Sequence, residues 1–183
     1  MRCFLAVSPP PAVVDDIARF LEPRHHVAGW AWTRPERFHL TLAFMAEYPQ
    51  VRIDELTVAL DEWGRDEAPL AMQIAGAGCF GPIDRAKVLH LAVPGAAGER
   101  LGQWSAQLRA LVSRHGGRPD GTGFIPHLTV ARSRRGEAAG RLLQALDTYA
   151  SESFEIAEVV LIQSHLDQHR HEVLHRARLQ GRA

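Results

Sequence analysis

Short apolar runs alternate along the chain with stretches whose apolar positions recur every three or four residues. Cys3 to Val7 is an apolar run that stops at Pro9, Pro10 and Pro11. It predicts a buried strand followed by a helix that starts on proline and runs over about residues 12–21. Residues 22–37 have loop chemistry and lead into FHLTLAF at 38–44. Ile53, Leu56, Leu60 and Trp63 recur at spacings of three and four, an amphipathic helix. Residues 70–80 and 88–93 predict strands around a Gly-Pro-Ile-Asp turn at 81–84. Leu101, Trp104, Leu108, Leu111 and Val112 mark a second long amphipathic helix that stops at Gly116-Gly117. A polar loop follows, then a strand on HLTVA at 127–131, a helix over about 138–149 and strands near 154–162 and 173–179.

This order predicts an α+β fold with helices packed on antiparallel sheets. One hexapeptide recurs. HLTLAF at 39–44 returns as HLTVAR at 127–132, an offset of 127 − 39 = 88 residues. Each copy is a strand near the middle of a half-chain. The expectation is a bilobal domain over residues 1–183, made of two pseudo-symmetric sheets with helices on the outer faces and a central cleft. Some strands would cross between the lobes.

Side chains alternate between the faces of a strand, so His39 and Thr41 share one face and Leu40 and Leu42 the other. His127 and Thr129 repeat this, with Leu128 and Val130 opposite. A single HxT is usually a polar pair on a surface strand. Packing requires the Leu and Val positions, but it does not require His and Thr opposite them twice. Two such pairs facing one cleft suit displacement at phosphorus, where attacking and leaving oxygens lie roughly in line. One imidazole takes the nucleophile's proton and the other protonates the leaving oxygen. The threonine hydroxyls donate to the non-bridging oxygens, where charge builds up.

Composition narrows the substrate. Lys plus Arg number 21 and Asp plus Glu number 21, so the formal net charge is zero. Sequence-independent grip on long nucleic acid draws on excess positive charge, so any nucleic-acid contact is expected to be local, to an end or a short strand. Cys3 and Cys79 form neither a CxxC pair nor a disulfide framework. No apolar run reaches membrane-spanning length, and a cytoplasmic protein is expected. No cofactor, metal ligand set or obligate protein partner is evident.

His171-Glu172-Val173-Leu174-His175 matches the zincin pattern HExxH, which works only on a helix. This segment reads as a strand. Positions 171 and 175 then lie roughly 13 Å apart, too far to share a metal. His171 is accordingly expected to be dispensable. His25, His26, His115, His165 and His169 are read as solvent-exposed and without a role. Ser133-Arg134-Arg135 is either a solvated turn or an RNA backbone contact. Trp32 is read as a core or lid aromatic, with base stacking the alternative.

The two tetrads resemble those of the 2H phosphoesterase superfamily, and in particular its RNA 2′,3′-cyclic phosphodiesterase family, formerly called 2′-5′ RNA ligases. The resemblance spans nearly the whole chain: MRCFLAVSPP, WTRPERFHLTLAFMAE (32–47), FGPIDRAKVLHLAV, FIPHLTVAR (124–132) and VLIQSHL (160–166). It implies a bilobal α+β fold and metal-free hydrolysis of a 2′,3′-cyclic phosphate at an RNA 3′ end to a 2′-phosphomonoester. It also implies His39 as proton donor, His127 as proton acceptor and Arg132 as a phosphate-holding residue. The chain departs from the family at Met45-Ala46-Glu47, at His90, where the family carries an aromatic, and in DQHRHEVLH, where it tends to have Gly and Tyr. Action on small cyclic nucleotides, 2′-5′ phosphodiester hydrolysis or ligation, and a non-catalytic RNA-end or nucleotide-binding module stay open as alternatives.

Overall fold

The computed structural model describes residues 1–121, 123–166 and 170–181. Strand β1 (Cys3–Val7) leads into helix α1 (Pro11–Leu21), whose first residue is the expected proline and whose buried positions are Val13, Ile17 and Leu21. Strands β2 (Ala31–Trp32) and β3 (Leu40–Met45) follow, then helix α2 (Ile53–Asp66), which buries Leu56, Leu60 and Gly64. Strands β4 (Leu70–Met72), β5 (Ala77–Phe80) and β6 (Ala86–Ala92) precede helix α3 (Gly95–Arg114). That helix closes as the sequence predicts. Gly116 has φ +82°, and the Gly117 N–H returns to the Val112 carbonyl at 2.9 Å. The chain continues through β7 (His127–Glu137), α4 (Gly140–Leu146), β8 (Phe154–Ile156), β9 (Glu158–His165) and β10 (Arg170–Arg178).

Two four-stranded antiparallel sheets result, in the orders β10-β9-β1-β3 and β2-β7-β6-β5, and each carries one tetrad. The α+β class and the crossing of strands are therefore as expected. The C-terminal β9 and β10 complete the sheet of the first tetrad, and β2 borders that of the second.

Three local expectations change. The strand expected over 70–80 breaks at Gly76 (φ +79°), and the one over 154–162 breaks at Ala157. The outer pieces, β4 and β8, pair with each other, while β5 and β9 join different large sheets. The residue pattern does not announce this, because both halves of each segment, LAMQIAGAGCF and FEIAEVVLI, read as strand. The third change is β2, absent from the sequence reading. It is two residues long, too short to show a period, and pairs with Ala131 and Arg132 of β7.

Helices cross between the half-chains too. Trp63 of α2 packs edge-on against Trp104 of α3 at 5.7 Å and donates to Gln107. α2 lies against β10 and α3 against β3, behind the first sheet. Phe20 and Asp16 of α1 meet Tyr149, just past α4, and α4 lies against β5 of the second sheet. One apolar core joins the helix-side faces of both sheets, including Leu5, Leu42, Leu89, Leu128 and Val130. The opposite face of the first sheet carries a separate small cluster of Phe4, Ala6, Val160 and Ile162, flanked by Phe44. No helix among the described residues is long and apolar enough to cross a membrane.

Candidate active site

Both tetrads are followed by a bulge. Against β1, the register slips so that Leu5 opposes Ala43 while Ala6 opposes Thr41. Against β6, Leu89 opposes Ala131 while His90 opposes Thr129. Leu42 and Ala43 thus both face the core, as do Val130 and Ala131, and all four are buried. A bulge of this kind resets the alternation. His39 and Thr41 are therefore followed on the cleft face by Phe44, and His127 and Thr129 by Arg132.

Each tetrad histidine is anchored in the same way. His39 Nδ1 donates to the Arg37 carbonyl at 2.7 Å, and His127 Nδ1 donates to the Ile125 carbonyl at 2.7 Å. A carbonyl can only accept, so the proton of each neutral ring is on Nδ1 and Nε2 keeps its lone pair. Arg132 acts on both rings. His39 is lowered to about 4, first by burial and then by the positive charges of His171, Arg132 and His127. His127 is lowered by burial and by Arg132, against its bond to Ile125. Arg132 thus acts on both tetrad rings, and His127 acts on His39. Thr41 and Thr129 are half-buried on the same cleft faces, and Arg132 is exposed.

The sequence reading missed four aromatic groups here. Phe4 stacks on His39 with ring centres 4.8 Å apart and planes at 27°. His171 stands edge-on to both, 5.2 Å from Phe4 and 5.6 Å from His39. On the other lobe Phe80 stands at 90° to His127 at 4.8 Å, and His90 lies 5.3 Å from His127. The His90 ring lies over Gly78, where a Cβ would come within 2.6 Å of it. Burial and the His127 charge lower His90 to about 4. The only available signals were the two departures from the family pattern, at His90 and in the segment that holds His171.

His171 thus requires a correction: it lies against His39, not apart from the site. The strand reading of HExxH holds, but the two histidines part for a sharper reason than distance. A bulge at Leu174 puts His171 on the cleft face and sends His175 to the helix face, where Nε2 meets Asp61 of α2 at 2.8 Å. His165 is also not solvent-exposed. Its ring is half-buried and paired with Glu172 at 2.9 Å. His115 is half-buried, His25 and His26 are exposed, and His169 lies outside the described residues. Trp32 packs against the core beside His25, which favours the core reading over base stacking. Ser133 is buried and accepts from the Gly136 N–H, while Arg134 and Arg135 are exposed. Two open surface concavities, one between Asp16 and Tyr149 and one beside Asp61 and His175, are lined by groups that bind each other and hold no tetrad residue.

Residues 6–168 match the model of the 2′-5′ RNA ligase superfamily. The chain belongs to that superfamily. A relative named RNA 2′,3′-cyclic phosphodiesterase from Geobacillus stearothermophilus is 28% identical over 75% of this chain, and the match spans only 43% of that protein. One of the same name from Methanothermobacter thermautotrophicus is 26% identical over 91% of both chains. The crystal structure of TT0787 from Thermus thermophilus superposes over the whole of both chains with a TM-score of 0.83 at 24% identity, so this superfamily member shares that fold.

Proposed function

We propose that this protein hydrolyses 2′,3′-cyclic phosphates at RNA ends to 2′-phosphomonoesters, in the cytoplasm, without a metal. The observation that carries the reading is the pair of identically anchored imidazoles, each with its Nε2 lone pair left by the Nδ1–H bond and both under the charge of Arg132. The names of the superfamily relatives support the substrate class.

In this reading His127 Nε2 takes a proton from water as the water oxygen bonds to phosphorus. The P–O3′ bond breaks, and His39 delivers a proton from Nε2 to the leaving 3′ oxygen. The product is a 2′-phosphomonoester with a free 3′ hydroxyl. Thr41 and Thr129 donate to the non-bridging oxygens, and Arg132 pairs with their charge. The low value of His39 gives the substrate a second task. A phosphate anion beside the ring favours its charged form, so binding raises the His39 pKa and arms the acid.

The test is turnover of an oligonucleotide ending in 2′,3′-cyclic phosphate, with EDTA present and the product resolved as 2′- or 3′-phosphate. The expected result is undiminished formation of the 2′-phosphate. Binding without turnover, a 3′-phosphate product, or loss in EDTA restored by zinc would each refute the proposal.

A further inference from the structure

The cleft face of the first lobe ends at Phe44, and a cation lies on it. The Arg2 guanidinium carbon sits 4.4 Å from the Phe44 ring centre. Arg2 is two residues before Phe4 and therefore shares its face of the sheet. Its carbonyl accepts from the Ser164 N–H at 3.0 Å, which fixes its backbone as a continuation of β1. Its Nε is fully buried and has no hydrogen-bond partner among the described residues. No carboxylate pairs with its guanidinium among those residues either. Arg176, on the same face of β10, is instead held by Glu158. An arginine stacked on an aromatic ring, with its fork not neutralised, is oriented to receive an anion.

The repeat sharpens this. Phe44 and Arg132 are separated by the same offset as His39 and His127, and each follows the bulge after its tetrad. On the second lobe that position is itself the arginine. On the first lobe it is a phenylalanine that carries the guanidinium of the neighbouring strand. Each lobe therefore holds one cation at the equivalent place. They differ in reach. Arg132 is among the charges that act on both tetrad histidines. Arg2 sits over Phe44, beyond the first tetrad and its bulge on β3, and so stands farther from the reacting phosphorus, on the His39 side.

In a terminal 2′,3′-cyclic nucleotide, the next anion along the chain is the phosphate on its own 5′ oxygen. We propose that Arg2 holds this 5′ phosphate, so that the site prefers cyclic ends that are 5′-linked or 5′-phosphorylated over nucleoside 2′,3′-cyclic phosphates with a free 5′ hydroxyl. The inference rests on the cyclic-phosphate reading above and adds a second anion site to it.

The experiment compares kcat/KM for three substrates: adenosine 2′,3′-cyclic phosphate, its 5′-phosphorylated form, and the dinucleotide ApA with a 2′,3′-cyclic end. The wild type should prefer the last two. Arg2→Ala should cost about tenfold on those two, the size of one charge-assisted contact, and under twofold on the first. Arg2→Lys should restore part of the preference, since it keeps the charge without the fork. Turnover of adenosine 2′,3′-cyclic phosphate also reports that each variant is folded. Equal loss on all three substrates would make Arg2 a structural residue, and a preference that survives Arg2→Ala would place the contact elsewhere. Either result, or a wild type without preference, overturns the assignment and leaves the cyclic-phosphate reading intact. A wild type inert on all three would overturn both.

Discussion

Around His39, Phe4 stacks nearly face to face and His171 closes the edge, while around His127 the Phe80 ring stands perpendicular and His90 lies beneath it. The backbone device is the same on both sides: an Nδ1–H on the carbonyl two residues back, and a bulge three residues on, at Leu42 and Val130. What differs is the position after the bulge, an aromatic at Phe44 and a cation at Arg132. The repeat therefore preserves how an imidazole is aimed and lets its surroundings diverge. In the proposed mechanism, the aromatic wall suits a group that changes charge with its ligand, and the fixed cation suits the seat of the phosphate.

The comparison is broken most directly at the histidines. His39→Ala and His127→Ala should each lower kcat by roughly 10²–10⁴-fold, and the double variant should lose less than the product of the two. Single-turnover rates on a cyclic-ended oligonucleotide decide this. Near-wild-type speed in either single variant would mean that the two lobes do not share the chemistry.

Arg132→Ala should lower kcat/KM by about 10–100-fold, because it removes a charge-assisted contact. It should also move the pH profile. In the free enzyme His39 lies at about 4 and His127 is lowered, so the bell in kcat/KM should centre below 6.5. Arg132 lowers both groups, so its removal should shift both limbs to higher pH. A profile that only loses height would disconnect Arg132 from one or both rings.

His171→Phe sharpens the contrast between lobes. The His171 charge acts on His39 but not on His127, so only one limb of the bell should move upward, with less than about tenfold change in rate. Movement of both limbs would show that His171 serves the whole cleft.

A separate effect, outside catalysis, concerns stability. His90 is lowered to about 4 by burial and by His127, against an ordinary 6.5. The unfolded chain then binds the extra proton between those values, so the stability from this group is full above pH 6.5 and is lost as pH falls toward 4. Linkage puts the loss at roughly 3 kcal/mol. His90→Phe should therefore show a smaller drop in Tm between pH 7 and pH 4.5 than the wild type, measured by thermal denaturation. An unchanged slope would mean that other groups dominate acid unfolding.

The sequence by itself determined the α+β class, the long helices and the two tetrads. Those features are written in local periodicity: three-and-four spacing for α2 and α3, alternation for HLTL and HLTV, and proline and glycine at the helix ends. Only the tertiary structure decided which strand paired with which, because β4 and β5, or β8 and β9, read as one strand each until their partners separate them. It also decided the face of every residue beyond a bulge. Strict alternation from His171 to His175 puts both on one side, and a single extra residue at Leu174 sends one to His39 and the other to Asp61. A side chain's type is local information. Its face depends on the register of a partner strand distant in sequence, and so the neighbours of His39, at Phe4 and His171, could only be read after folding.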